Sequence, residues 1–167
     1  MKTKLIVVIM ALMSLSISGQ QSMFKALFIF NFAKYIEWPN QEGNKDFIIG
    51  VYGNDDIISE LKKLAAARKI NNKNIVVKSV KSPSEVPNAN MFYIPNSKSG
   101  SINEVTSYFA QKPTLIVSDK PGLCKKGAGI NYTVQSGKMK YEICKANITS
   151  HNLKIDQKLI ALGIAVK

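Results

Sequence analysis

The segment KALFIFNFAKYIEWP, residues 25–39, places Asn31, Lys34, Tyr35 and Trp38 at i, i+3, i+4 and i+7 of a helix. An amide, an ammonium, a phenol and an indole in one stripe combine apolar area with hydrogen-bonding capacity. That is the chemistry of recognition, not of bond making. Leu27, Phe28, Phe32 and Ile36 fall on neighbouring faces and suit packing against a sheet. A second polar pair, Ser118-Asp119, closes a short apolar run and precedes Pro121-Gly122. It reads either as the turn at a strand end or as one wall of a cleft beside the stripe. The six residues Asn31, Lys34, Tyr35, Trp38, Ser118 and Asp119 together form the expected partner- or ligand-binding surface.

Catalytic inventory is thin. His151 is the sole histidine and stands in the polar run Thr149-Ser150-His151-Asn152, which reads as the cap of a final helix. Neither GxSxG nor HExxH occurs, and no nucleophile stands visibly paired with a base. Asp119 and Glu142 are two carboxylates on separate strands, a pairing that any domain offers. Neither a catalytic residue nor a metal site nor a cofactor is expected. The two cysteines, Cys124 and Cys144, lack CxxC spacing and have one histidine for company, so zinc is a poor fit. They are a candidate disulfide whose loop of about 20 residues would contribute on the order of 3 kcal/mol. Two buried free thiols are the alternative.

Both alternatives stay open in the sequence; the compartment bears on them, and the N-terminus speaks to the compartment. Lys2 and Lys4 precede an apolar run over residues 5–15, followed by Ser16, Ser18 and Gly19. That is the pattern of a secretory signal peptide, residues 1–19, and the run is shorter than the roughly 20 residues that span a bilayer. Residues 20–167 are then expected to form a single domain, exported to an oxidising compartment. The formal charge is +12 with Lys2 and Lys4 counted. Arg68 is the lone arginine, and the lysines are spread without a dense run. Nucleic-acid binding relies on arginine forks and stacked aromatics, so nucleic acid is not an expected partner. Anionic head groups or an acidic protein suit a basic exported domain better.

Strands and helices alternate along this domain. Residues 47–52 (FIIGVY) form an apolar β-branched run before the turn GNDD, and a helix is expected over 57–67. Residues 74–80, 91–94 and 114–117 read as strands, with a helix over 102–110. Runs at 129–134 and 139–143 flank Gln135-Ser136-Gly137-Lys138, the signal for a hairpin. Ile155, Leu159, Leu162 and Val166 share a helical face, which predicts a closing helix over 153–166. The helix at the start of the domain is expected over 24–37, ended by Pro39. The fold class is α/β: a single-domain layered sandwich with a mostly parallel central sheet, a C-terminal antiparallel hairpin and flanking helices.

KALFIFNFAKYIEWP resembles the signature of the YfiR family, an aromatic-rich Asn-Phe-Ala-Lys helix ending in Trp-Pro. FIIGVYGNDD, LIVSDKPG, GAGINYTVQSGKMKYEI and NLKIDQKLIALGIAV resemble its first strand and turn, its Val-Ser-Asp segment, its glycine-led hairpin and its closing helix, in the same order. The chain departs from the pattern at Cys144, where relatives often carry Asn, and at Cys124, where an aromatic is usual. The resemblance implies a periplasmic, non-enzymatic regulator that binds the periplasmic domain of an inner-membrane receptor, either a diguanylate cyclase or a sensor kinase. Cyclic-di-GMP signalling is then one output of the partner, since no GGDEF-type motif is present here. A periplasmic small-molecule-binding sensory module is the alternative, and a homodimer stays open.

Overall fold

The computed structural model describes residues 2–39, 43 and 45–166, residues 2–18 by their backbone alone. Helix α1, Lys2–Tyr35, runs through the N-terminal apolar run and the aromatic segment without a break. In its C-terminal half Ala26, Ile29, Phe32 and Ala33 are buried, at the three- and four-residue steps that keep one face on the core. Pro39 forces the chain extended just before it. The helix therefore gives way to β1, Ile36–Glu37, two residues earlier than the sequence predicts. β1 pairs antiparallel with β9, Lys154–Ile155, and the Asp156 amide donates to the Tyr35 carbonyl at 2.9 Å.

The remaining elements are β2 (Asp46–Tyr52), α2 (Ile57–Ala67), β3 (Lys69–Ile70), β4 (Lys73–Val80), β5 (Met91–Ile94), α3 (Ile102–Tyr108), β6 (Leu115–Ser118), β7 (Ile130–Gln135), β8 (Lys138–Ile143), α4 (Lys145–Ser150), α5 (Gln157–Leu162) and β10 (Ile164–Ala165). The main sheet has the order β10-β8-β7-β6-β5-β2-β4-β3. Strands β4, β2, β5, β6 and β7 are mutually parallel, and β8 returns antiparallel beside β7. Chain order thus reverses between β2 and β5, as in a doubly wound sheet. The hairpin turn places Ser136 and Gly137 at φ 51° and 71°, the left-handed pair that a two-residue connection between twisted strands demands.

Both faces of this sheet are covered, so its central strands are apolar on both sides. Met91 and Tyr93 of β5 join α1 and α2 in one core with Phe47, Ile49 and Leu61. Phe92 and Ile94 point the other way, into a second core with Ile102, Val105 and Phe109 around α3. Aromatic contacts seat α1: the Phe32 ring lies 4.9 Å from Tyr141 in an edge arrangement and 6.0 Å from Tyr132. The expected α/β layered sandwich with its hairpin is the architecture found.

Its C-terminal segment is not the expected single helix over 153–166. Asp156 caps α5, its carboxylate accepting from the Lys158 amide at 2.7 Å, and the helix stops at the extended Gly163. Ile164 and Ala165 then pair with Glu142 and Ile143 of β8. Edge pairing at both ends of α5 satisfies backbone groups that a longer helix would have satisfied internally, while the buried Leu159 still anchors the helix. His151 also lies elsewhere than expected. It ends α4, with Nδ1 2.8 Å from the Lys112 carbonyl, and ties that helix to the approach to β6. Cys124 and Cys144 are bridged, their Cα atoms 5.8 Å apart. The bridge joins the 3-10 turn Leu123–Lys126 to the start of α4, where the Asn147 amide donates to the carbonyls of Cys124 and Ala128 at 2.7 and 2.8 Å.

Candidate functional site

Parallel strands deliver polar residues to one edge of a sheet, at their C-terminal ends. Asp119 follows β6 there, its amide donating to the Ile94 carbonyl at 2.9 Å. Helix α1 runs antiparallel to these strands and brings Lys25 to the same place. Lys25 Nζ donates to Asp119 Oδ2 at 2.8 Å, with side chains 15% and 14% exposed. Partial burial makes this pair worth more than a solvent-facing one, but desolvation offsets much of the attraction. The Tyr132 hydroxyl donates to the Lys25 carbonyl at 2.7 Å and so holds this turn of helix against β7.

Beneath the ion pair lies Tyr93, whose buried phenol oxygen has no hydrogen-bond partner among the described residues. Burial, and then the Asp119 charge, push the phenols of Tyr93 and Tyr132 well above the ordinary tyrosine range. Ser118 is fully buried, and its hydroxyl accepts from the Lys120 amide at 3.1 Å. Asn131 donates to Glu142 Oε2 at 3.2 Å while its carbonyl oxygen is buried without a partner.

Two contiguous clefts open above this cluster, between α1 and the β7–β8 hairpin. One, of about 390 Å³, is lined by Lys25, Asp119, Tyr132 and Thr133. The other, of about 500 Å³, is lined by Phe24, Phe28 and Lys138, and both share Gln21, Val134 and Met139. Phe24 and Val134 are 44% and 65% exposed, and Met23 beside them is 41% exposed. An ion pair at the floor and large apolar side chains at the mouth suit a binding groove.

The expected surface is distributed differently. Asn31 and Lys34 are exposed, with the Lys34 ammonium 5.6 Å from the half-buried Tyr35 ring. Trp38 is buried: its indole donates to the Asn90 carbonyl at 2.9 Å and its ring meets Phe47 edge-on at 4.9 Å. Asn90 precedes β5, whereas Ser118 ends β6 and Asp119 follows it, so Trp38 sits at the opposite end of the strands. Ten residues of helix between Lys25 and Tyr35 amount to about 15 Å. The stripe therefore does not border Ser118-Asp119, and Lys25 takes the place expected of Lys34. Sequence reading also passed over Tyr132, Val134 and Met139. No signal within the segment marked Lys25, because α1 precedes every strand and its direction against the sheet is set by the fold.

Other candidate groups have structural partners. Glu142 faces Asn131 and the Gly122 amide, and Asp119 faces Lys25, so the two carboxylates have separate roles. The GNDD turn is closed on itself, with Asp55 Oδ1 accepting from the Ile57 amide at 3.0 Å. Among the described residues no group of three or more His, Cys, Asp or Glu is placed to hold a metal ion. A comparison with protein families matches residues 22–164 to the DUF4154 family, described as YfiR/HmsC-like. No curated protein matches the chain.

Proposed function

Because the chain belongs to the YfiR/HmsC-like family, we propose that it is an exported, non-enzymatic regulator that binds the periplasmic portion of a transmembrane signalling protein and modulates its output. The partner in this reading is an inner-membrane diguanylate cyclase or sensor kinase. The family match over residues 22–164 carries the proposal. The Cys124–Cys144 bridge accords with an oxidising compartment, and no helix among the described residues is long and apolar enough to cross a membrane.

Contact with a partner requires accessible groups. We assign it to the apolar mouth formed by Phe24 and Val134, together with the exposed Asn31 and Lys34 further along α1. Ser118 and Trp38 are buried and Trp38 holds the far end of α1 to Asn90, while Asp119 fixes the near turn of α1 through Lys25. A second reading, a small-molecule sensory module, is favoured by one observation: the 390 Å³ cleft has an ion pair at its floor.

Chemical crosslinking in envelope extracts, followed by affinity capture and mass spectrometry, tests the first reading. Recovery of a cyclase or kinase periplasmic domain is expected, with loss of recovery for Val134→Asp and weakening for Asn31→Ala and Lys34→Ala at unchanged melting temperature. Capture that recovers no membrane receptor, with a metabolite mixture raising the melting temperature instead, would replace the regulator by the sensory module.

A further inference from the structure

Strand β4 is paired along its inner edge with β2, from Asn74 to Val80, but along its outer edge only at Lys73 and Asn74, with β3. The Asn74 amide donates to Lys45 and the Val80 carbonyl accepts from Gly53, both on the β2 side, at 3.1 and 2.7 Å. Alternation along a strand therefore turns the N–H and C=O groups of Val77 and Ser79 outward. Among the described residues no strand pairs with them. An open edge of this kind is a template for another chain.

Charge selects which chain. From Glu60 to Glu85 the sequence carries Lys62, Lys63, Arg68, Lys69, Lys73, Lys78 and Lys81 and no acidic residue between. Spacing hides this run in the sequence, and the fold gathers part of it around one edge. Arg68 and Lys69 lie beside the start of β4, Lys78 stands within it and Lys81 follows its end, all exposed. A second copy is a poor occupant, since two such edges would set cation against cation. An acidic strand meets Arg68 and Lys69 at one end and Lys78 and Lys81 at the other, where the Glu85 carboxylate accepts from the Lys81 amide.

We propose that the outer edge of β4 docks an extended acidic segment of a partner protein, which adds a strand through main-chain hydrogen bonds at Val77 and Ser79 and is selected by Arg68, Lys69, Lys78 and Lys81. Backbone pairing supplies affinity in this mode of recognition, and side-chain charge supplies discrimination. The inference does not depend on the regulatory reading of the α1 groove.

The test titrates the full chain with a fluorescent peptide of about ten residues alternating Glu and Val. A Lys-Val peptide and anionic phosphatidylglycerol vesicles serve as rivals. Ser79→Pro removes the outward N–H without breaking the inner ladder. Ser79→Ala controls for the hydroxyl, which donates to the Gly53 carbonyl at 2.7 Å. The Glu peptide is expected to bind, to lose on the order of tenfold in affinity with Ser79→Pro or Lys78→Glu, and to be unaffected by Ser79→Ala. Hydrogen exchange on the unmodified chain gives a reading independent of the variants' folding: the Val77 and Ser79 amides should become protected when peptide is added. Unchanged affinity in a folded Ser79→Pro, absent protection of those amides, equal binding of the Lys peptide, or binding of vesicles without peptide would each overturn the proposal.

Discussion

Tyr93 and Tyr132 show what placement does to an ordinary side chain. Their phenols are raised by burial first and by the Asp119 charge second. Below about pH 10 folded and unfolded chains both keep these protons, and the shift has no effect on stability. Above it the unfolded chain releases protons that the native state retains, so stability falls as pH rises. Spectrophotometric titration of the six tyrosines should therefore show Tyr93 and Tyr132 ionising only as the chain unfolds, in step with loss of circular dichroism. Reversible ionisation of all six near pH 10 in a folded protein would contradict their burial. Sequence could name neither residue for this role, because tyrosines read alike until the strands set their depth.

At the scale of elements, the Cys124–Cys144 bridge closes a loop with a sequence separation of 20 residues, which includes β7 and β8. The chain-entropy model assigns such a loop roughly 3 kcal/mol. For a domain of this size that corresponds to a loss of roughly 6–12 °C in melting temperature on reduction. Thermal unfolding with and without reductant measures it, and a shift near zero would mean that the bridge merely decorates a loop held by Asn147 and the Cys144 backbone. The legible elements were those with local cause. Residues 91–94 and 57–67 carry their own periodicity and stops. The closing segment misled because Leu159 and Leu162 share a helical face, yet only Leu159 is buried and Leu162 is 72% exposed. Pairing of β10 with β8 overrode the pattern.

For the whole molecule, the leader and the charge make one further expectation. Processing is expected to yield a product beginning near Gln20, released with the soluble envelope fraction, because residues 5–15 are too short an apolar run to anchor it. Intact-mass measurement on fractionated cells decides this, and Met1 retained on a membrane-bound product would reject it. Loss of Lys2 and Lys4 leaves a net charge of about +10, so attraction to an acidic partner should weaken as salt rises.

The sequence by itself determined the alternation of strand and helix, hence the α/β layers, and the hairpin with its turn at Ser136 and Gly137. It also carried the family likeness. Each of these rests on residues adjacent in the chain, where period, turn preference and proline act locally. Only the tertiary structure decided that Trp38 faces Asn90 at one end of the sheet while Lys25 meets Asp119 at the other. It alone bridged Cys124 to Cys144 and left the outer edge of β4 open beside its cations. Those are contacts between residues distant in the chain. They depend on strand order and helix direction, which no spacing within a segment encodes.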